Sequence, residues 1–310
     1  MRSTSLNFRD ARMIRMGGLG DRGEGSQAVI PFSDGCGVVA AIGAGVRNVA
    51  VGDRVSTVHS PDWVSGPPTP EKGAVELGGP EAPGAGRELA LLPEGAVIRA
   101  PEYLSDDEVA TLACASLTAW RALFYDAHLR PGDTVVLQGT GGVSIFGLQF
   151  AVAAGLRTIV TSSSDDKLER ARALGADVLI NYVQTPKWGR AVREATGGRG
   201  ADFILEVGGA GTLDQSFKAI RMGGHIAIVG AVATLAEPAQ IAPHTFLRTA
   251  ARVQGLVVGS REMFEQQLRA MTQSQIHPVV DRVFSWHDLR GALDFFDSGS
   301  HFGKVVIRFD

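Results

Sequence analysis

The stretch Thr134-Val-Val-Leu-Gln-Gly139-Thr-Gly141-Gly142-Val143-Ser144 sets a short apolar run directly against a glycine-rich turn, and an amphipathic segment begins at Ile145. Strand, tight turn and helix start, in that order, form a cradle for an anion. The chain must reverse sharply, the backbone must come close to a phosphate, and the first N–H groups of the helix must point at it. Gly139 and Gly141 meet the first two needs, Gly142 and Val143 open the helix, and Ser144 takes the third small-residue position of a G-x-G-x-x-G pattern. A purely structural glycine loop is the competing reading of the turn taken alone. Its surroundings favour a dinucleotide: apolar strands are predicted near 134–138, 157–161, 178–180, 202–207, 225–229 and 253–258, alternating with helical segments. Such alternation builds a doubly wound parallel sheet, so the predicted fold class is α/β.

At 310 residues and 45% hydrophobic content the chain can bury a large core and divides into two domains. A formal charge of −3 gives no electrostatic reason to expect nucleic acid or an anionic membrane as partner. No apolar run approaches the roughly 20 residues of a membrane span. Arg2, Arg9, Arg12 and Arg15 give the start a basic tint, but Asp10 argues against a presequence. Two cysteines, Cys36 and Cys114, make neither a disulfide framework nor a four-cysteine zinc lobe, and a cytoplasmic, reducing setting is expected.

Residues 1 to about 104 are rich in Gly and Pro with short Val-rich runs, Gly37-Val-Val-Ala-Ala-Ile and Val51-Gly-Asp-Arg-Val55, which predict an irregular β domain. The segment 61–86 reads as a long loop of the kind that serves as a lid or stays mobile. Ser105-Asp-Asp-Glu108 is a capping box, and it predicts a helix running to about Phe124. At the end of the second predicted strand, where an NAD fingerprint carries an acidic side chain for the ribose 2′-hydroxyl, this chain has Ser162-Ser163-Ser164-Asp-Asp-Lys167. Ser162 and Ser163 suit a 2′-phosphate and Lys167 would neutralise it, so NADP(H) is favoured and NAD(H) stays possible. In the competing readings Asp165 caps the helix, or Asp165 or Asp166 meets the ribose.

Taken in order, Ser5-Leu-Asn-Phe-Arg-Asp10, Ser33-Asp-Gly-Cys-Gly-Val-Val39, Val51–Val55, Leu117-Thr-Ala-Trp120, Pro131-Gly-Asp, Gly141-Gly-Val, Ala173-Leu-Gly-Ala176, Ile180-Asn-Tyr182 and His301-Phe-Gly-Lys-Val-Val306 span the chain. The set resembles the zinc-independent, quinone-oxidoreductase-like branch of the medium-chain dehydrogenase/reductase superfamily. The resemblance implies a GroES-like catalytic domain over 1–116, a Rossmann domain over 117–261 and a return to the catalytic domain over 262–310. Members begin well ahead of the asparagine segment, so it also implies that the first strands of the catalytic domain are missing here. Zinc-dependent members hold their metal with a cysteine, a histidine and a second cysteine. By motif position Asn7 and the Ser33-Asp34 region stand at the first two places and only Cys114 at the third, so no zinc is expected.

Without a Lewis acid, the substrate itself must spread the charge that arrives with a hydride. Quinones and α,β-unsaturated carbonyls do so, leaving a remote oxyanion for neutral donors. The resemblance puts Asn7 and Thr118 forward as those donors, with a local turn the bland alternative for Asn7 and a hold on the cofactor amide or ribose the alternative for Thr118. His59 and Trp63, in a Pro-flanked loop, are read as walls of the substrate pocket or as mere packing. Strand ends add cofactor contacts at Val207-Gly208, Gly230-Ala231 and Val258-Gly259, and the family match adds Tyr182 and the return through Phe302 and Lys304. The implied activity is NADPH-dependent reduction of a quinone or conjugated carbonyl. Reversible alcohol oxidation, or a catalytically silent dinucleotide-binding sensor, are the alternatives. A homodimer through Val253–Val258 is expected, because an exposed apolar edge strand is otherwise a hazard.

Overall fold

The computed structural model describes residues 1–16, 29–230 and 239–309. Within them the chain forms two compact units, one of Met1–Leu117 with Val258–Asp310 and the other of Thr118–Val257. The second crossing thus falls ahead of the boundary expected after residue 261.

The first unit contributes β1 (Ser3–Ser5), β2 (Gly35–Val38), β3 (Arg54–Thr57) and β4 (Val97–Arg99). The second unit holds β5 (Thr134–Gln138), β6 (Arg157–Ser162), β7 (Val178–Asn181), β8 (Ala201–Glu206), β9 (Ile220–Ile228) and β10 (Arg252–Gly255). The chain then re-enters the first unit with β11 (Val280–Ser285) and β12 (Lys304–Arg308).

In the second unit the sheet order is β10-β9-β8-β5-β6-β7, with every pairing parallel. Val135, Val136 and Leu137 are fully buried, as a strand covered by helices on both faces requires. The order reverses on either side of β5, and the glycine-rich turn leaves its carboxyl end, the place where doubly wound sheets take ligands. The helix Gly142–Ala153 lies close to the sheet because Gly147 has no side chain: a Cβ there would stand 3.1 Å from Leu137 Cδ2.

The opposite end of β8 is fastened by charge. Asp202, its side chain 2% exposed, accepts from Arg199 at 2.6 and 2.7 Å, from Arg221 and from the Thr134 backbone N–H at 2.8 Å. Burial pushes its pKa up, but these four donors outweigh burial and hold it at about 2.

The first unit is a six-stranded sheet in the order β11-β12-β1-β2-β3-β4, in which β1 pairs antiparallel with both β12 and β2. The capping box forms as expected, with Ser105 N donating to Glu108 Oε2 at 2.7 Å and Glu108 N to Ser105 Oγ at 3.3 Å. The helix it opens is not continuous, however. It gives way after Val109 to wide i→i+5 turns over Leu112–Ser116 and Arg121–Asp126, around one α turn at Leu117–Trp120.

The 61–86 segment, read as a lid or mobile loop, is pinned to the rest of the first unit at several points. Trp63, Leu77 and Ala85 are buried, and backbone bonds from Leu77 to His59, Gly84 to Ile30 and Ala85 to Phe32 pin it down. Gly84 allows this, since a Cβ there would fall 2.2 Å from the carbonyl oxygens of Pro31 and Phe32.

Asp202→Asn tests the charged fastening. A carboxylate depressed to about 2 contributes stability that is complete above its unfolded pKa near 3.8 and lost as pH falls towards 2. The variant should lose on the order of 1–2 kcal/mol at pH 7, with the gap to the parent closing below pH 4 in urea titrations.

Candidate active site

The glycine-rich turn after β5 takes the backbone form its sequence requires. Gly139 has φ +70°, a conformation that favours glycine, and nothing lies within 4 Å of a Cβ placed on Gly139 or Gly141. Gly141 caps the helix, whose first internal bond runs from Ile145 N to Gly141 O at 3.0 Å. The N–H groups of Gly142, Val143 and Ser144 therefore lie ahead of the helical ladder, directed out of the helix start. Ser144 is buried and donates to Gln138 O at 2.6 Å, while the close-packing role of the third glycine falls to Gly147.

At the end of β6, Ser162 is buried and its Oγ accepts from Ser164 N at 3.2 Å, and Ser163 is exposed. Ser164, not Asp165, caps the next helix by accepting from Lys167 N at 3.3 Å. Asp165 instead accepts from Asn181 Nδ2 at 2.7 Å and Gln184 Nε2 at 2.8 Å. Tyr182 is 42% exposed, and its backbone N–H joins Ser162 O at 3.0 Å.

Two residues that sequence reasoning passed over organise the β8 end. Glu206 is wholly buried, and its carboxylate accepts from Gly208 N at 2.9 Å, Gly209 N at 3.0 Å, Thr212 Oγ1, Ser216 Oγ and Gln138 Nε2 at 2.7 Å. Gln138 Oε1 in turn accepts from Val207 N at 3.3 Å and Gly208 N at 3.4 Å. The N–H groups of Val207 and Gly208, expected at the cofactor, thus face the interior. A carboxylate ending the apolar run Phe203-Ile-Leu-Glu206 just before Gly-Gly was the available signal. Gly230 follows β9 and is half-buried, and Ala231 lies outside the described residues. Thr118 is buried in the turn Leu117–Trp120.

In the first unit, register brings the charged residues together. β1 and β12 pair with Ser5 opposite Val306, so the next steps outward set Asn7 across from Lys304. On the other side Thr4 faces Gly35, which sets Ser5 beside Asp34. Lys304 Nζ donates to Asn7 Oδ1 at 2.6 Å, Leu6 O at 3.0 Å and Asp34 Oδ2 at 3.2 Å. Asn7 Nδ2 donates to Asp34 Oδ2 at 3.0 Å and Asp10 Oδ2 at 3.1 Å, and Ser5 Oγ also reaches Asp34 Oδ2 at 3.0 Å.

This network changes two expectations. Both amide hydrogens of Asn7 go to carboxylates, so the group expected to face a substrate oxygen is an internal bridge. The Lys304 ammonium, expected at the cofactor, has its three donors engaged by oxygens of its own unit. Asp10 Oδ1 and Asp34 Oδ1 are buried without a hydrogen-bond partner among the described residues. Burial, reinforced by Asp34, raises the Asp10 pKa to about 6 against the pull of Arg9, Asn7 and Lys304.

The other pocket candidates are also interior. Trp63 is 1% exposed, donates Nε1 to Gly66 O at 2.9 Å and accepts through its backbone from Arg261 N, so it anchors a loop rather than presenting a wall. His59 is buried, its Nδ1 lies 3.0 Å from Ser60 Oγ, its Nε2 has no partner, and burial with Arg9 nearby lowers its pKa well below 6.5. Val258 is half-buried. Gly259 is buried, and a Cβ on it would stand 2.9 Å from Leu117 Cγ. Phe302 is buried just before β12.

Asp10→Asn probes the network. Between pH 3.8 and about 6 the native chain holds a proton on Asp10 that the unfolded chain has released, so this group lowers stability as pH rises through the window. The variant should gain on the parent across it, by on the order of 2 kcal/mol at neutral pH. Urea midpoints that run parallel for both proteins from pH 4 to pH 7 would contradict the assignment.

Comparison with known proteins agrees with both units. The sequence profile described as "Alcohol dehydrogenase GroES-like domain" matches residues 1–102, and that described as "Zinc-binding dehydrogenase" matches 142–273. A zinc-type alcohol dehydrogenase-like protein of Schizosaccharomyces pombe is 39% identical over 100% of this chain and 90% of its own length. A crystal structure of a protein assigned as an alcohol dehydrogenase from Sinorhizobium meliloti 1021 is 43% identical, covers 99% of this chain and 89% of its own, and superposes with a TM-score of 0.90. A crotonyl-CoA reductase of Streptomyces avermitilis is 28% identical over 71% of this chain and 53% of its own length.

Proposed function

This chain belongs to the medium-chain dehydrogenase/reductase family of oxidoreductases, and we propose on that footing that it uses NADPH to reduce a quinone or an α,β-unsaturated carbonyl without zinc. The observation that carries the cofactor choice is the end of β6. It offers the exposed Ser163 hydroxyl, the buried Ser162 hydroxyl and the cation Lys167, while Asp165 is hydrogen-bonded to Asn181 and Gln184. The cradle of Gly139, Gly141, Gly142 and Val143 fits a pyrophosphate, because its backbone is open to close approach and its N–H groups lead the helix.

The dinucleotide, when bound, supplies a hydride from its nicotinamide ring. The chain binds and orients it, and a neutral donor meets the oxyanion that the acceptor develops. With Asn7 engaged by carboxylates, that donor is the Thr118 hydroxyl. A conjugated acceptor is supported by the kinship with a crotonyl-CoA reductase, and by a charged cluster in the first unit that does not fit zinc. Among the described residues no three His, Cys, Asp or Glu side chains are grouped to hold a metal. Reversible alcohol oxidation is the second reading, favoured by relatives named alcohol dehydrogenases.

Mixing the protein with NADPH or NADH and, in turn, a quinone, a crotonyl thioester and an aldehyde separates the readings. Rapid NADPH loss with the first two supports the proposal. Turnover confined to the aldehyde, and its reversal with the alcohol and oxidised cofactor, would transfer the chain to the second reading. Ser163→Asp and Lys167→Ala should each weaken NADPH binding about 10-fold while leaving NADH nearly unchanged, in fluorescence titrations. Thr118→Val should lower kcat about 10- to 1,000-fold with a smaller change in KM, since its hydrogen bond strengthens as charge develops.

We further propose a homodimer through β10. Among the described residues this strand ends the sheet and pairs on one side only, and Leu247 at 82% and Val257 at 54% exposure lie before and after it in the chain. Light scattering at micromolar concentration should give twice the chain mass, and a monomer would refute the pairing.

A further inference from the structure

The cluster around Lys304 disagrees with the zinc chemistry named by the matching family profile. A zinc ion needs lone pairs converging on a common centre, preferably from nitrogen and sulfur, with coordinating thiols deprotonated. Here the converging lone pairs are oxygens, those of Leu6, Asn7 and Asp34, and they already accept from an ammonium. The Lys304 and Asp34 side chains are 3% and 0% exposed, so that charge has no water to retreat to. Cys114 is the one thiol at a ligand position, so the nitrogen and sulfur donors that zinc prefers are not assembled around Asn7 and Asp34. A divalent ion entering this space would have to displace the ammonium or sit beside it in a medium of low dielectric, where like charges repel strongly.

We propose that the Lys304 ammonium is the resident cation of this site, holding by hydrogen bonds the place among Leu6, Asn7 and Asp34 that a metal ion would need. Lys304 is thereby a positioning residue. One N–H neutralises Asp34, one fixes the Asn7 amide so that its hydrogens reach Asp34 and Asp10, and one ties the end of β1 to the start of β12. It answers the same demand as a metal, a positive charge among inward-facing oxygens, with a covalently attached group that chelators cannot remove.

The test reads metal content and thermal stability; a retained zinc would also remove the zinc-free part of the proposed function, whereas the stability and rescue comparisons read the role of Lys304 alone and can fail while that function stands. Unmodified protein dialysed against zinc should retain no stoichiometric metal and show an unchanged Tm. Lys304→Ala should melt roughly 6–20 °C lower, because it leaves the buried Asp34 without its counter-charge. Propylammonium is the portion of the side chain that this substitution deletes. It should restore at least half of the lost Tm, whereas tetramethylammonium, which has no N–H, and zinc should not.

Lys304→Met and Lys304→Met/Asp34→Asn complete the comparison, and they decide it where the alanine variant does not fold. Removing both charges should leave a chain more stable than removing the ammonium alone. One tightly held zinc in the unmodified protein, rescue of Lys304→Ala by zinc in place of propylammonium, an alanine variant as stable as the parent, or a double variant no more stable than Lys304→Met would each overturn the proposal.

Discussion

A charge withdrawn from water must find its counter-charges and donors within hydrogen-bond reach, and in both units of this protein that requirement fixes what surrounds it. In the first unit it is met between neighbouring strands. Lys304 on β12, Asn7 just past β1 and Asp34 just before β2 meet because β1 lies in the middle of the three. In the second unit a single carboxylate, Glu206, gathers donors from β5, from the turn after β8 and from the helix Leu213–Ala219. Neither cluster tolerates partial assembly, since a lost partner leaves a buried charge or amide unpaired.

The Glu206 arrangement has a consequence for recognition. Drawing the N–H groups of Gly208 and Gly209 inward removes them as anion donors, so the phosphate-binding capacity of this sheet edge concentrates on the turn after β5. There Gly141 leaves the start of the helix Gly142–Ala153 without a side-chain cap. The two turns leave the adjacent strands β5 and β8, yet they have opposite polarity, and Gln138 joins them. One end of β5 thereby both opens the anion cradle and holds the neighbouring turn in its inward-donating form.

Much of this was legible beforehand. The six strands of the second unit lie within a few residues of the apolar runs that foretold them, most closely at β5 and β8, where burial on both faces writes a hydrophobic signature. The glycine turn was legible for a similar reason, since few residues but glycine fit φ +70° at position 139. Gly147 was only half-legible: a glycine inside a helix calls for a packing reason, but its partners Leu137 and Leu205 come from two strands. The capping box announced where a helix begins and nothing about the i→i+5 turns that follow, which carry no local composition of their own. Trp63 read as a pocket wall because it is aromatic and Pro-flanked. Its burial depends on a backbone bond from Arg261, far along the chain.

The charged cluster escaped notice for a deeper reason. Asn7 and Asp34 read together as the places of two absent zinc ligands, but Lys304, 297 positions beyond Asn7, read as a cofactor contact. Only the antiparallel register, Ser5 against Val306 and Thr4 against Gly35, turns the three positions into one ion network. A slip of one residue in either pairing would turn Lys304 or Asp34 to the opposite face of the sheet and leave the other charge buried alone. The network therefore acts as a register lock for the centre of the first unit's sheet. The apolar residues Val305 and Ile307 favour burial of one face or the other, whereas the ion network penalises every alignment except the native one.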